Sequence, residues 1–293
     1  METQLIELYL LICDFYDKHS VLKEQRLSNN RQPAFSDQEL LTMYIFGHLH
    51  GHLEQRRRYD YFSNHWRAWF PALPSYQAVN RRLGDLVPAF ELLIEELLSN
   101  AAWQTQSTDD RLIDSVPVML AKGTRANGGR VAPELADTGF CATKAEYYRG
   151  VKLHLIAARR IEKLPLPEKI HLSKASQHDL AALRQLVDPH LPKNSALFAD
   201  RAYCDAEMEQ RFKERGSFLL AGYKRRRNEP DSNVPTLYNR FVSTIRQPLE
   251  SLFGWIIQKT DLQNASRVRS DHGLKVHCYG KLAVACLLLT FYS

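Results

Sequence analysis

The sequence predicts two unlike halves, an all-helical N-terminal region followed by an α/β domain built on a mixed sheet. Three observations point there. Up to about residue 108 apolar residues recur at helical spacing, as at Leu5, Leu8, Tyr9 and Ile12. From Arg111 onward, short aliphatic runs alternate with segments of helical period. The charge also changes sign: residues 1–108 hold 10 Lys and Arg against 13 Asp and Glu, and the remainder holds 29 against 20.

The first helix is carried by the stripe just named. Ser36 with Glu39 three residues later has the form of a capping box and opens the helix QELLTMYIFGHL. Ser75, after Pro71 and Pro74, starts SYQAVNRRLGDL, and AFELLIEELLSN closes the region. The polar stretch 100–108 reads as a linker, so the expected domains are 1–108 and 109–293. RLIDSVPVML is then a strand around one aspartate. GVKLHLIAAR alternates Val151, Leu153 and Leu155 against Lys152 and His154, a second strand whose solvent face would carry the lysine and histidine. PEKIHLSKAS is a third strand and residues 179–187 a helix. ALFADRAY is a fourth strand ending at Asp200, and AEMEQRFKERG is a helix closed by Gly216. SFLLAGYK is a fifth strand, residues 237–260 form a helix carrying Glu250, and residues 274–291 form the last helix. Three hairpin-like strands, then helix, strand, helix, strand, helix, match the ribonuclease-H-like topology.

The chain's 293 residues suit about two domains. With 44% hydrophobic and 25% charged residues, disorder is not the default. A net charge of +6, concentrated in the C-terminal half, favours a polyanionic partner. Cys13, Cys141, Cys204, Cys278 and Cys286 form no C-x-x-C pair, which argues against a disulfide framework or zinc ribbon. Glu2 and the lack of a basic leader argue against a secretory signal. The apolar run LAVACLLLTFY is shorter than the roughly 18 residues of a spanning helix. The expectation is a cytoplasmic protein with reduced thiols and no membrane contact.

The chemistry lies in three acids. Asp114 stands inside one apolar strand, Asp200 ends another, and Glu250 is on a long helix. Taken singly, each aspartate is read equally well as the cap of a turn or helix. Together, on adjacent central strands, two carboxylates about 4 Å apart would repel by roughly 4 kcal/mol at an effective dielectric of 20. A divalent cation removes that cost. Oxygen donors with no His or Cys nearby suit magnesium or manganese better than zinc. Two such ions activate a water and stabilise a leaving oxygen at a phosphodiester.

The segments LIDSVPV, YYRGVKLHLI, ADRAY and STIRQPLESLFGWII resemble the catalytic blocks of insertion-sequence DDE transposases, over about residues 111–293. The third block of that family runs Tyr, two residues, Arg, three residues, Glu, six residues, Lys. Arg246 and Glu250 keep its Arg-to-Glu spacing, whereas Ser243 holds the Tyr position and Ile257 the Lys position, with Lys259 the nearest basic residue. The helical N-terminus resembles the leading domain of insertion-sequence family 982. The resemblance implies catalysis by Asp114, Asp200 and Glu250, which would also be the ligands of two Mg2+ ions, with Mn2+ as substitute. It implies cleavage at the ends of a mobile element and attack of the freed 3′-hydroxyl on target DNA. The partners would be double-stranded DNA with terminal inverted repeats, target DNA, and a second copy of the chain in a homodimer on DNA. The location would be the cytoplasm, at the nucleoid. Two other readings remain open: another nuclease of this fold, such as a resolvase or repair nuclease, and a non-catalytic DNA-binding protein derived from a transposase.

Several basic residues are candidates for DNA contact. Lys152 and Arg246 lie within the resembling blocks; Lys224, Arg225, Arg226 and Arg227 form a run before a polar loop; Arg81 and Arg82 lie on a helix that either reads DNA or packs in a bundle. Each has an ordinary alternative as a solvated face or a helix ion pair, the latter worth about 0.3–0.5 kcal/mol. His48, His50 and His52 do not share a helix face, which disfavours zinc. Trp66, Trp69 and Phe70 read as core or interface aromatics.

Overall fold

In α1 (Glu2–Lys18) the helical period buries Leu5, Leu8, Ile12, Phe15 and Tyr16. Tyr9, expected on that stripe, is exposed, since it lies at the edge of the arc that these residues span. The structure, a computed structural model, describes residues 1–24, 33–99, 107–186, 191–223 and 233–291. After the short α2 (Ser20–Glu24), α3 (Asp37–Leu49) opens on the expected capping box: Ser36 Oγ accepts the Glu39 N–H, and the Glu39 carboxylate accepts the Ser36 N–H. Nearly every residue of α3 from Leu40 to His48 is buried, so this helix is the centre of its unit. The next helix, α4 (Gln55–His65), was not expected, since QRRRYDYFSNH buries only Arg58 and Phe62. α5 (Tyr76–Asp85) is capped by Ser75, and α6 (Val87–Ser99) follows. The linker expected over 100–108 lies outside the described residues up to 106.

Contacts group Met1–Leu97, Lys259–Leu262 and His272–Ser293 as one compact unit, and Leu98–Gln258 with Gln263–Asp271 as a second. The C-terminal helix, expected over 274–291 as part of the 109–293 domain, thus groups mainly with the N-terminal helices. It runs over Asp271–Phe291, interrupted by a π turn at Val276–Gly280. Its 21 residues are long and apolar enough to cross a membrane by length and composition, but 67% of its apolar window is buried inside the protein, as in a core helix.

The second unit holds, among the described residues, a six-stranded sheet. Its strands are β1 (Ser107–Lys122), β2 (Asp137–Cys141), β3 (Glu146–Arg160), β4 (Leu166–Lys174), β5 (Ala196–Ala199) and β6 (Phe218–Ala221). The order is β2-β3-β1-β5-β6, with β4 also paired to β3. β1, β2 and β4 run antiparallel to β3, while β5 runs parallel to β1 and β6 parallel to β5. This mixed sheet, preceded by helices, is the ribonuclease-H-like architecture. β2 was not expected: DTGFC is five residues with a central glycine and no alternation. Gly150 lets β3 lie close to β1, since a Cβ there would stand 1.9 Å from the Val118 carbonyl oxygen.

The helices of this unit are α7 (Thr124–Gly128), α8 (Asp179–Leu186), α9 (Ala206–Glu214) and α10 (Asn233–Thr260). Leu183 and Leu186 of α8 and Met208 and Phe212 of α9 bury against Ile113, Ile156, Leu197 and Leu219 of the sheet. Gly216, at φ +75°, follows the end of α9 as expected. His154 requires a correction: it is fully buried rather than on a solvent face. Leu153 to Ala158 are buried without a break, so both faces of β3 are covered there.

Candidate active site

β1 carries Asp114 between buried Leu112 and Ile113 on one side and Val116 on the other. β5 is four consecutive buried residues, ALFA, and Asp200 follows directly. The β1–β5 register pairs Arg111 with Leu197 and Leu112 with Phe198. Continued by two residues, it sets Asp114 level with Asp200 at the end of the shared ladder. Asp200 also caps the short turn Arg201–Tyr203 by accepting the Ala202 N–H. The capping reading and the active-site reading of this residue are therefore compatible.

The third element is α10. Arg246 and Glu250 are four residues apart and share one helix face. Arg246 is buried, and its Nη2 donates to Asp114 Oδ2 at 2.7 Å; Asp114 Oδ1 accepts the Ser115 N–H at 2.8 Å. Glu250 is exposed. Asn239 ties the start of α10 to the end of β6: its Oδ1 accepts the Tyr223 N–H at 2.6 Å and its Nδ2 donates to the Tyr223 carbonyl at 3.3 Å. A cavity of about 230 Å3 opens between these elements, with Asp200, Arg201, Asn239, Ser243 and Arg246 on its wall.

Burial pushes the Asp114 carboxyl up to about 6; Arg246 and the Ser115 N–H oppose this, and the charges of Asp200 and Glu250 add to it. Asp200 and Glu250 are therefore both near enough for their charge to reach Asp114. The donor set fits a hard divalent ion in chemistry, being carboxylate oxygen without sulfur or imidazole. Among the described residues, no three His, Cys, Asp or Glu side chains converge closely enough to hold an ion, so the acids would have to draw together around one.

Behind the acids lies a polar network absent from the sequence reading. His154 Nε2 is 2.7 Å from Ser173 Oγ, and its Nδ1 is 3.4 Å from the Tyr203 hydroxyl. Burial lowers His154 to about 4, against the raising influence of Asp179. Burial raises the Tyr203 hydroxyl far above its usual range, helped by Asp179, Asp114 and Asp200 and opposed by a hydrogen bond with Ser115. Tyr203 is three residues from Asp200, and a buried aromatic hydroxyl needs a partner. That proximity was the available sequence signal; Asn239 had none.

Lys152 donates to Asp179 Oδ1 and the Gln177 carbonyl, both at 2.9 Å. Arg82 pairs with Asp37 at 2.9 Å, within the helical unit, and Arg81 is exposed. Lys224, Arg225, Arg226 and Arg227 lie outside the described residues. His48, read as no zinc ligand, is buried with Nδ1 against the Tyr44 carbonyl and Nε2 against Arg58. Trp66 and Phe70 are buried and Trp69 is exposed.

The family profile described as Transposase DDE domain matches residues 105–287. The chain is 31% identical over 156 residues to the transposase for insertion sequence element IS1106 of Neisseria meningitidis serogroup B. That stretch is 51% of this chain and 52% of the relative, so the match spans about half the length of each. No solved structure matches significantly.

Proposed function

The chain belongs to the transposase DDE domain family, and from that premise we propose that it is a DNA transposase that cuts insertion-sequence ends and joins the freed 3′-hydroxyl to target DNA. The observation that carries the proposal is the pairing of β1 with β5, whose register supports a shared site for Asp114 and Asp200, with the charge of Glu250 felt at Asp114. These three would hold two Mg2+ ions, or Mn2+ in their place. When bound, the metal supplies a polarised water and charge neutralisation at the leaving oxygen. The protein's own part is to hold the acids on two rigid strands and one helix, and to offer Arg246 and Arg201 as cations beside the cavity.

We assign residues 1–108 to DNA binding, in keeping with a leading domain like that of insertion-sequence family 982, and 109–293 to catalysis. Arg81, Arg246 and the 224–227 run are the phosphate contacts we favour; Arg246, Lys152 and Arg82 would first have to leave Asp114, Asp179 and Asp37. Two element ends must be processed together, so the working form is a homodimer on DNA, in the cytoplasm at the nucleoid.

The test is Asp200→Asn, assayed by nicking and strand transfer of labelled terminal-repeat DNA in Mg2+. The substitution keeps shape and removes a charged donor, so both activities should fall to background. DNA binding and melting temperature should change little. Nicking at the wild-type rate would sink the assignment, and nicking without strand transfer by the wild-type enzyme would favour a nuclease.

A further inference from the structure

Resting on the reading of Asp114, Asp200 and Glu250 as the ion-binding set, we infer that Arg246 is a resident counter-cation, holding the place of a metal ion on Asp114 and yielding it to an incoming metal, most readily when a DNA phosphate arrives with it. Both oxygens of Asp114 are engaged, Oδ1 by the Ser115 N–H and Oδ2 by Arg246 Nη2. A hard divalent ion stands about 2.1 Å from a carboxylate oxygen. A guanidinium nitrogen 2.7 Å from Oδ2 crowds that position and repels the incoming charge. Arginine cannot relieve the conflict by losing its proton, because the guanidinium stays charged in proteins. It has to move.

A second observation says where it goes. Arg246 Nε is buried and has no hydrogen-bond partner. A buried donor left unmade is costly, and an acceptor reaching it recovers that cost. Arg246 borders the cavity, and the same wall carries Arg201, Ser243 and Asp200, whose charge the incoming metal would cover. Two guanidinium groups and a hydroxyl select an anion with several oxygens, and a phosphate fits the planar donor fork of arginine. Ser243 puts a small side chain on that wall. The exchange is balanced: the phosphate replaces Asp114 as the partner of Arg246, and the metal replaces Arg246 as the partner of Asp114. Charge stays paired before and after, and the resting site resists loading metal alone.

The experiment follows Mn2+ binding by electron paramagnetic resonance, without DNA, for the wild type, R246Q, R246K and D114N. R246Q should bind Mn2+ about tenfold tighter than the wild type, since a repelling charge has gone. R246K keeps the charge and should stay within about twofold of the wild type. Equal or weaker binding by R246Q, with D114N binding none, overturns the inference and leaves the ligand assignment standing. Binding that survives D114N overturns the ligand assignment itself. Should R246Q fail to fold, the wild type still decides: Mg2+ should raise phenylglyoxal labelling of Arg246, read by peptide mass, and added duplex DNA should suppress it. Labelling indifferent to Mg2+ overturns the inference.

Discussion

Both units bury charge, and they settle it differently. In the helical unit Arg58 donates to the carbonyls of His52 and Leu53 at 3.0 and 2.9 Å, reaches His48 Nε2, and lies over the Tyr44 ring at 4.4 Å. Lys281, also buried, donates to the Asp261 carbonyl at 2.8 Å. Their partners are backbone carbonyls and rings, fixed by the fold and indifferent to ligands. In the α/β unit Arg246 has a carboxylate partner, with two further carboxylates close enough to shift it, and a donor left over beside a cavity. Arg82 also leaves its Nε without a hydrogen bond, yet it lies beside the Phe35 ring and pairs with Asp37. An unmade bond alone does not mark function. The mark is a buried cation among several like-charged acids that it cannot satisfy together.

If that distinction is right, removing Arg58 should cost stability and spare chemistry. Arg58→Met would leave two carbonyls and His48 Nε2 without their donor, and the arginine now fits closely over Gly47, where a Cβ would stand 2.7 Å from its Cγ. The expected loss is about 3 kcal/mol of unfolding free energy, measured by urea titration. Nicking per folded molecule should remain at the wild-type level. Loss of nicking with unchanged stability would break the comparison, placing a functional charge in the helical unit.

The buried histidines sharpen it with pH. Burial lowers His277 to about 3, helped by Lys281 and Arg58 and opposed by its bond to the Leu262 carbonyl. Burial also holds His48 well below its usual value, with Arg58 adding to this. Below pH 6.5 the unfolded chain takes up protons that the folded chain refuses. Their contribution is therefore complete above pH 6.5 and is lost as pH falls from there, for His277 down to about 3. The slope is about 1.4 kcal/mol per pH unit for each histidine. His277→Asn should remove roughly half of the two-histidine slope between pH 6 and 5, read from urea midpoints. An unchanged slope would mean that His277 titrates normally.

How far the sequence carried these conclusions depends on the range of each interaction. The strands around Asp114 and Asp200 were legible because a carboxylate interrupts a short apolar run, a pattern contained in ten residues. Glu250 was legible through its spacing from Arg246. The partner of Arg246 was not, since Asp114 lies 132 residues away and no local pattern encodes that pairing. The burial of His154 was hidden for a related reason: alternation describes one strand, whereas coverage of both faces depends on the layers around it. β2 and α4 were missed because neither carries enough apolar residues in period to declare itself.

The smallest effect belongs to Asp205, five residues after Asp200 and on the same connection. Its Oδ1 accepts the Glu207 and Met208 N–H groups at the start of α9, and its Oδ2 accepts from Arg184 at 2.6 Å. Burial works to raise its carboxyl, but Arg184 and the two N–H groups outweigh this and hold it below the usual range. Asparagine caps a helix about as well as aspartate, so Asp205→Asn loses mainly the charge. Arg184 is half exposed, and an ion pair to such a partner is worth at most about 1 kcal/mol. The wild type should exceed the variant by that amount near neutral pH. The difference should shrink as pH falls through the lowered carboxyl pKa, because the protonated aspartate no longer holds the charge that the variant lacks. Nicking by Asp205→Asn should match the wild type at every pH where both are folded. A loss of nicking comparable to that of Asp200→Asn, with the fold intact, would extend the acidic site along the connection and overturn the separation between a carboxylate that faces the chemistry and one that only ends a helix.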